Sequence, residues 1–193
     1  MRGRDQFQII RPLLRASIAL LRVLPRGVSE ILLACVRHVP TRIGIALRYV
    51  LVARLAKSCG DCVSIHEGVY LLHIDQMEFD GHVSIHPLCY LDGYGGLRIG
   101  LNVSIAHGCS ILTSEHDFEV PGQTTRDAVV TRSPVTIGQD VWMGCGVKLL
   151  SGAHIGDGAV IGAGAVVTKD IPARSIAIGI PARVVKNIEK RAA

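Results

Sequence analysis

Aromatic side chains make up only 4% of the 193 residues, so the core is not built round a few large rings. No stretch reaches 18 apolar residues without a charge, which excludes a conventional membrane-spanning helix. The apolar run from Pro12 to Leu24 is interrupted by Arg15 and Arg22 and no A-x-A-like site follows, so no secretory signal peptide is expected. A G-x-x-x-x-G-K phosphate loop is missing, and so is any motif that reads bases or stacks on them, so no nucleic-acid partner is expected.

What is present is 49% apolar residues and 21 glycines, with Ile and Val frequent. That composition folds, and it favours many small, similar aliphatic positions over a few large ones. Six cysteines are scattered through a chain too large to need disulfide staples, and they read as the reduced thiols of a cytoplasmic protein. Cys59 and Cys62 form a C-x-x-C, but neither a second ligand pair nor a βαβ context accompanies it, so it reads as structural.

Charge is divided unevenly. Residues 1–58 hold eleven Arg and Lys against Asp5 and Glu30, a net +9, whereas the other 135 residues hold ten bases and fourteen acids, a net −4. Pro12, Pro25 and Pro40 divide this basic segment into pieces at 13–24, 27–39 and 42–57, rich in helix formers, so two or three short helices are expected. Arg15 and Arg22 share one helix face, as in helices that lie on an anionic membrane, while Arg42, Arg48 and Arg54 fan out round theirs. Two readings of residues 1–58 stay open: packing on the body or on another subunit, and peripheral contact with the inner face of the membrane.

The rest of the chain is periodic. An aliphatic residue recurs every sixth position at Ile137, Met143, Leu149, Ile155, Ile161 and Val167, and four of the six are followed directly by glycine (Gly138, Gly144, Gly156, Gly162). A second track of small or aliphatic residues runs through Val141, Val147, Ala153, Ala159, Ala165 and Ile171. An earlier block, Phe79, Ile85, Leu91, then Ile99, Ile105 and Ile111, has the same spacing with a two-residue insertion near Gly93–Gly96. A period of six is neither helical nor simple alternation; it describes short strands joined by sharp turns, one apolar side chain per strand pointing inward. Such coils bury their inner faces only by stacking, which gives a parallel β-helix. Glycines after the inward residue are expected to relieve crowding or positive φ at the corners.

The segment IGQDVWMGCGVKLLSGAHIGDGAVIGAGAVVTKDIPARSIAIGIPARVVKNI, residues 137–188, resembles the hexapeptide-repeat acyltransferases, in particular the galactoside and maltose O-acetyltransferases and the sugar O-acetyltransferases of nodulation-factor, capsule and exopolysaccharide pathways. The resemblance extends over about residues 79–190 and implies a left-handed parallel β-helix, an exception to right-handed crossovers. The expected organisation is then a helical segment over 1–58, an all-β solenoid over 59–180 with an extruded loop at 117–134, and a short C-terminal helix or tail over 181–193. It also implies acetyl-CoA as co-substrate with no metal, a sugar or glycoconjugate acceptor, and a homotrimer with sites between subunits.

The regular pattern breaks at Glu115-His116-Asp117. Acetyl transfer to a hydroxyl needs a base that titrates near neutrality, which imidazole supplies, and the resemblance makes His116 that base. Neighbours in a strand point to opposite faces, so Glu115 and Asp117 cannot both serve the ring. Glu115, and Asp92 about one coil upstream, are the carboxylates considered for supporting it; Asp92 also resembles an acidic position lining the acceptor pocket. Arg126 in the loop is the candidate to touch an acceptor. The resemblance places Trp142 and Gly144 beside the coenzyme, and the backbone N–H near Cys145 at the thioester oxyanion. It assigns Ala163 and Thr168 to the pantetheine arm and Lys169 and Arg183 to phosphate. Cys145 has no adjacent base in the sequence, which argues against covalent catalysis. Two competing classes are a γ-carbonic-anhydrase-like metalloenzyme, for which His82, His86, His107 and His116 are available without the expected H-x-x-x-x-H pair, and a catalytically silent membrane-associated scaffold.

Overall fold

A computed structural model describes residues 3–117, 124 and 126–188. Three helices come first: α1 (Gly3–Leu21), α2 (Arg26–Cys35) and α3 (Thr41–Leu55). Pro25 and Pro40 stand immediately before α2 and α3, where a missing N–H costs nothing. Pro12, expected to stand before the first helical piece at 13–24, instead lies inside α1. Contacts on both sides of it hold the helix together: Phe7 packs edge-on against Tyr49, Arg11 and Arg15 pair with Asp61, and Leu14 is buried. These offset the lost backbone bond.

Helix α3 is apolar on nearly every side and is accordingly buried along its second half, from Arg48 to Val52 and at Leu55. It packs between α1, α2 and the strand Ser64–Ile65, closing the open end of the β-structure. The fan of arginines resolves into three environments. Arg42 is exposed, Arg54 reaches the Leu21 carbonyl at 3.4 Å, and Arg48 is buried.

From Ser58 onward the chain winds as a three-faced parallel β-helix. Face A stacks Ser58–Cys59, Met77–Phe79, Leu97–Ile99, Val135–Ile137 and His154–Ile155. Face B stacks Ser64–Ile65, Ser84–Ile85, Ser104–Ile105, Trp142–Met143, Val160–Ile161 and Ser175–Gly179. Face C stacks Tyr70–Leu72, Tyr90–Asp92, Ser110–Ile111, Lys148–Leu149 and Val166–Val167. The six-residue ladder is the register itself: Ile99 lies over Phe79 and under Ile137, Ile105 between Ile85 and Met143, and Ile111 between Leu91 and Leu149. Every residue of both apolar tracks is buried. Burial of that many aliphatic side chains, at about 1.5–3 kcal/mol each, drives the stacking.

The two roles foreseen for glycine separate. Gly138, Gly144, Gly156 and Gly162 relieve crowding only; a Cβ on Gly144 would lie 2.6 Å from the Ala163 nitrogen of the next coil. Left-handed backbone falls elsewhere, notably in the column Cys62, His82, Asn102, Asp140, Gly158 and Arg174 between faces A and B. At the other end of the chain, the expected short C-terminal helix over 181–193 is corrected. Ala182–Asn187 is a strand, antiparallel to Ser175–Gly179. Its Val184-Val185 pair favours extended backbone, and the exposed edge of face B offers a partner. Residues 189–193 lie outside the described part.

Cys35, Cys59, Cys89, Cys109 and Cys145 are free thiols. Burial, then the charge of Asp61, pushes Cys59 up to about 12, so the C-x-x-C holds no reactive thiolate at that position. No helix of the described residues is long and apolar enough to cross a membrane.

Candidate active site

The solenoid opens once, at the corner leading from face C to face A after Ser110–Ile111. There Ser114–His116 pairs antiparallel with Val130–Arg132, His116 opposite Val130 and Glu115 opposite Thr131. This two-stranded hairpin leaves the body, and the expected loop 117–134 runs through it; residues 118–123 and 125 lie outside the description. The root of the hairpin is pinned by Thr113, whose buried hydroxyl donates to the Asp92 carbonyl at 2.9 Å and accepts from the Gly95 N–H at 2.7 Å.

His116 is exposed at the hairpin, and no side-chain partner engages its imidazole among the described residues. The Glu115 side chain is also exposed, while its carbonyl accepts from the Thr131 hydroxyl. Strand alternation sends the two side chains to opposite faces of the hairpin. Asp92 faces another histidine. Its Oδ1 sits 2.7 Å from His73 Nδ1 and accepts from the Tyr94 N–H at 3.1 Å, and its Oδ2 accepts from Ser114 Oγ at 3.2 Å. The Tyr94 ring packs against His73 at 4.6 Å with the planes tilted by 31°, and Arg132 lies over Tyr94 and donates to its hydroxyl. Arg126 is exposed next to a turn closed by the Thr124 hydroxyl on Asp127.

Residues expected at the coenzyme lie along another edge. Trp142 is 52% exposed on face B, between Ser104 and Val160. Gly144 and Cys145 turn the corner from face B to face C, and the Cys145 carbonyl accepts from the Gly164 N–H at 2.8 Å. The Cys145 N–H donates to no protein acceptor among the described residues. Ala163 lies directly over Gly144 and is exposed. Thr168 and Lys169 are exposed, as is Arg183 on the last strand, whose guanidinium donates to the Ala182 carbonyl at 2.8 Å. Trp142, Gly144, Cys145 and Ala163 are thus brought together; His116, which leaves by another corner, is not.

The cluster His73, Tyr94, Ser114 and Arg132 escapes a reading based on motifs. A signal existed: residues twenty apart lie on successive coils, as VSIH at 63–66 and 83–86 shows, so His73 falls beside Asp92. Of the four histidines considered as metal ligands, His82 sits at the corner between faces A and B, His86 stacks on His66, His107 turns between faces B and C, and His116 is on the hairpin. Among the described residues no group of three His, Cys, Asp or Glu converges.

The family described as bacterial transferase hexapeptide (six repeats) matches residues 134–169. A maltose O-acetyltransferase from Clostridium difficile 630 is 30% identical over 88% of this chain and 89% of its own, with a TM-score of 0.74. The chain belongs to the hexapeptide-repeat transferases. Hexapeptide-repeat proteins form left-handed β-helices, and the expected fold class stands. Two further hexapeptide-repeat folds are similar at lower identity. A hexapeptide-repeat acetyltransferase from Vibrio cholerae O1 biovar eltor, complexed with acetyl coenzyme A, is 22% identical over 86% of this chain and 87% of its own, with a TM-score of 0.76. A galactoside acetyltransferase in complex with coenzyme A is 23% identical over 85% of this chain and 80% of its own, with a TM-score of 0.69. No curated protein matches.

Proposed function

We propose that the protein transfers an acetyl group from acetyl-CoA to a hydroxyl of a sugar or glycoconjugate, with His116 as general base. The observation that carries this reading is the likeness, at 30% identity over 88% of the chain, to a maltose O-acetyltransferase. The imidazole of His116, exposed and without a side-chain partner among the described residues, supports it. His116 takes the proton of the acceptor hydroxyl as its oxygen attacks the thioester carbonyl. The N–H near Cys145 holds the oxyanion, and collapse expels the coenzyme A thiolate, which recovers the proton from the imidazolium. Trp142, Ala163 and Thr168 border the coenzyme, and Lys169 and Arg183 meet its phosphates.

His116 and Cys145 leave the prism at different corners, which supports a site completed by a second copy of the chain in a homotrimer. Replacement of His116 by alanine is expected to abolish acetyl transfer and leave acetyl-CoA binding intact. A variant that still acetylates maltose or a related sugar at the wild-type rate overturns the assignment.

Membrane contact is favoured by the outer surface of the helices. Ile9, Leu13 and Leu20 share one side of α1 and are 66–72% exposed, with Ile31 on α2 and Ile43 on α3 equally bare. With a net charge of +9 over residues 1–58, that surface fits an anionic bilayer at the inner face of a cell membrane. Co-sedimentation with phosphatidylglycerol vesicles, lost when Ile9, Leu13 and Leu20 are replaced by serine, tests it; wild-type protein that stays in the supernatant rejects it.

A further inference from the structure

Between α1, α3 and the first two coils of face B lies a cleft with about 610 Å³ of space, within the range of sites that hold small organic ligands. Its sides differ in chemistry. The helices contribute an apolar wall that includes Phe7, Leu14 and Ile45, whereas the solenoid contributes a polar floor that includes His66, His82 and Ser84. Arg42 also lines it.

Arg42 is the one guanidinium in the lining. Arg42 makes no ion pair among the described residues, while Arg11, Arg15 and Arg26 on the same helical unit each meet a carboxylate. An apolar trough with an unpaired guanidinium at its edge is complementary to a hydrocarbon chain ending in an anion.

We propose that this cleft binds a single-chain amphiphile with a phosphate head, the chain lying along Phe7, Leu14 and Ile45 and the phosphate meeting Arg42. None of the residues assigned to acetyl transfer lines the cleft, so the site stands apart from that reading. Two sources share this chemistry: a prenyl phosphate carrier and a lysophospholipid of the bilayer.

The test is calorimetric titration of the full chain with dodecyl phosphate below its micellar concentration, alongside acetyl-CoA on the same preparation. One site per protomer is expected, unaffected by saturating coenzyme A. Affinity should fall at least about tenfold in Ala46→Trp, which fills the trough, and in Arg42→Glu. No binding by wild-type protein that binds acetyl-CoA, or competition by coenzyme A, overturns the proposal and leaves the transferase reading untouched. Should Ala46→Trp fail to fold, a diazirine-bearing alkyl phosphate on wild-type protein decides. Crosslinks in residues 7–14 and 42–49 support the site, and crosslinks confined to 137–188 overturn it. Farnesyl phosphate and oleoyl lysophosphatidate, titrated in parallel, separate the two sources, tighter binding of either one still supporting the site.

Discussion

Asp92 and His73, nineteen residues apart in sequence, meet at 2.7 Å on successive coils, and the same carboxylate reaches forward to Ser114 at the start of the strand that carries His116. One buried acid thus ties two coils and the hairpin root together. Asp92→Ala removes three side-chain hydrogen bonds at once and should lower stability by about 2–4 kcal/mol, read by thermal or urea unfolding. Acetyl transfer should slow through a misplaced hairpin while the pH profile keeps its wild-type midpoint. A variant of unchanged stability whose pH profile moves would show instead that Asp92 acts on the base.

Loss of His116 should have the opposite signature. Its side chain is exposed, so His116→Ala should unfold close to the wild-type midpoint and lose roughly 10²–10⁴ in kcat, the usual worth of a general base. Steady-state kinetics and a melting curve on the same sample separate the two variants.

Gly144 and Gly27 have no side chain for different reasons. A Cβ at Gly144 would press on the Ala163 backbone at 2.6 and 2.9 Å, where neither coil can give without breaking its register, so Gly144→Ala should cost about 1–3 kcal/mol. At Gly27, on the exposed first turn of α2, a Cβ meets nothing within 4 Å, and Gly27→Ala should raise stability by about 0.5–1 kcal/mol. Parallel melting curves check both signs.

The solenoid was legible because each inward residue is an independent vote for the same period, and Phe79 through Val167 vote alike. The hairpin was visible as the place where the votes stop. Less could be read where one pairing partner decides the conformation. The Ala182–Asn187 segment is short enough for helix or strand, and only the open edge of Ser175–Gly179 settles it. Pro12 likewise predicts a break that Phe7, Arg11 and Leu14 jointly override. The His73–Asp92 pair needs the coil length of twenty, which the ladder holds but a motif search does not use.

Arg48 looked like one more base of a cationic segment, yet it is 1% exposed. Its Nε donates to the Ile65 carbonyl at 2.8 Å, and Nη1 to the Val36 and Val39 carbonyls at 2.8 Å each. One guanidinium therefore satisfies carbonyls left open past the end of α2 and anchors them to the first coil. Arg48→Met should cost about 3 kcal/mol or more, because the carbonyls stay buried and lose their donor. Arg48→Lys should recover only part of it, since a point charge cannot span the same fork. Urea unfolding of both variants measures the difference.

His66 stacks on His86 with ring centroids 4.9 Å apart and planes within 6°. Its pKa is lowered from 6.5, first by burial and then by the charge of His86, with Glu67 pulling the other way and Arg48 adding to the fall. Below about pH 6.5 the unfolded chain therefore takes up a proton at this position that the folded chain resists. Stability from His66 is fully present above that pH and is lost as pH falls through the lowered folded value. The melting temperature should accordingly drop between pH 6.5 and 5, and His66→Gln, which cannot titrate, should flatten that part of the curve. Equal slopes for wild type and variant over this window would remove His66 as the cause and place the proton uptake on another group.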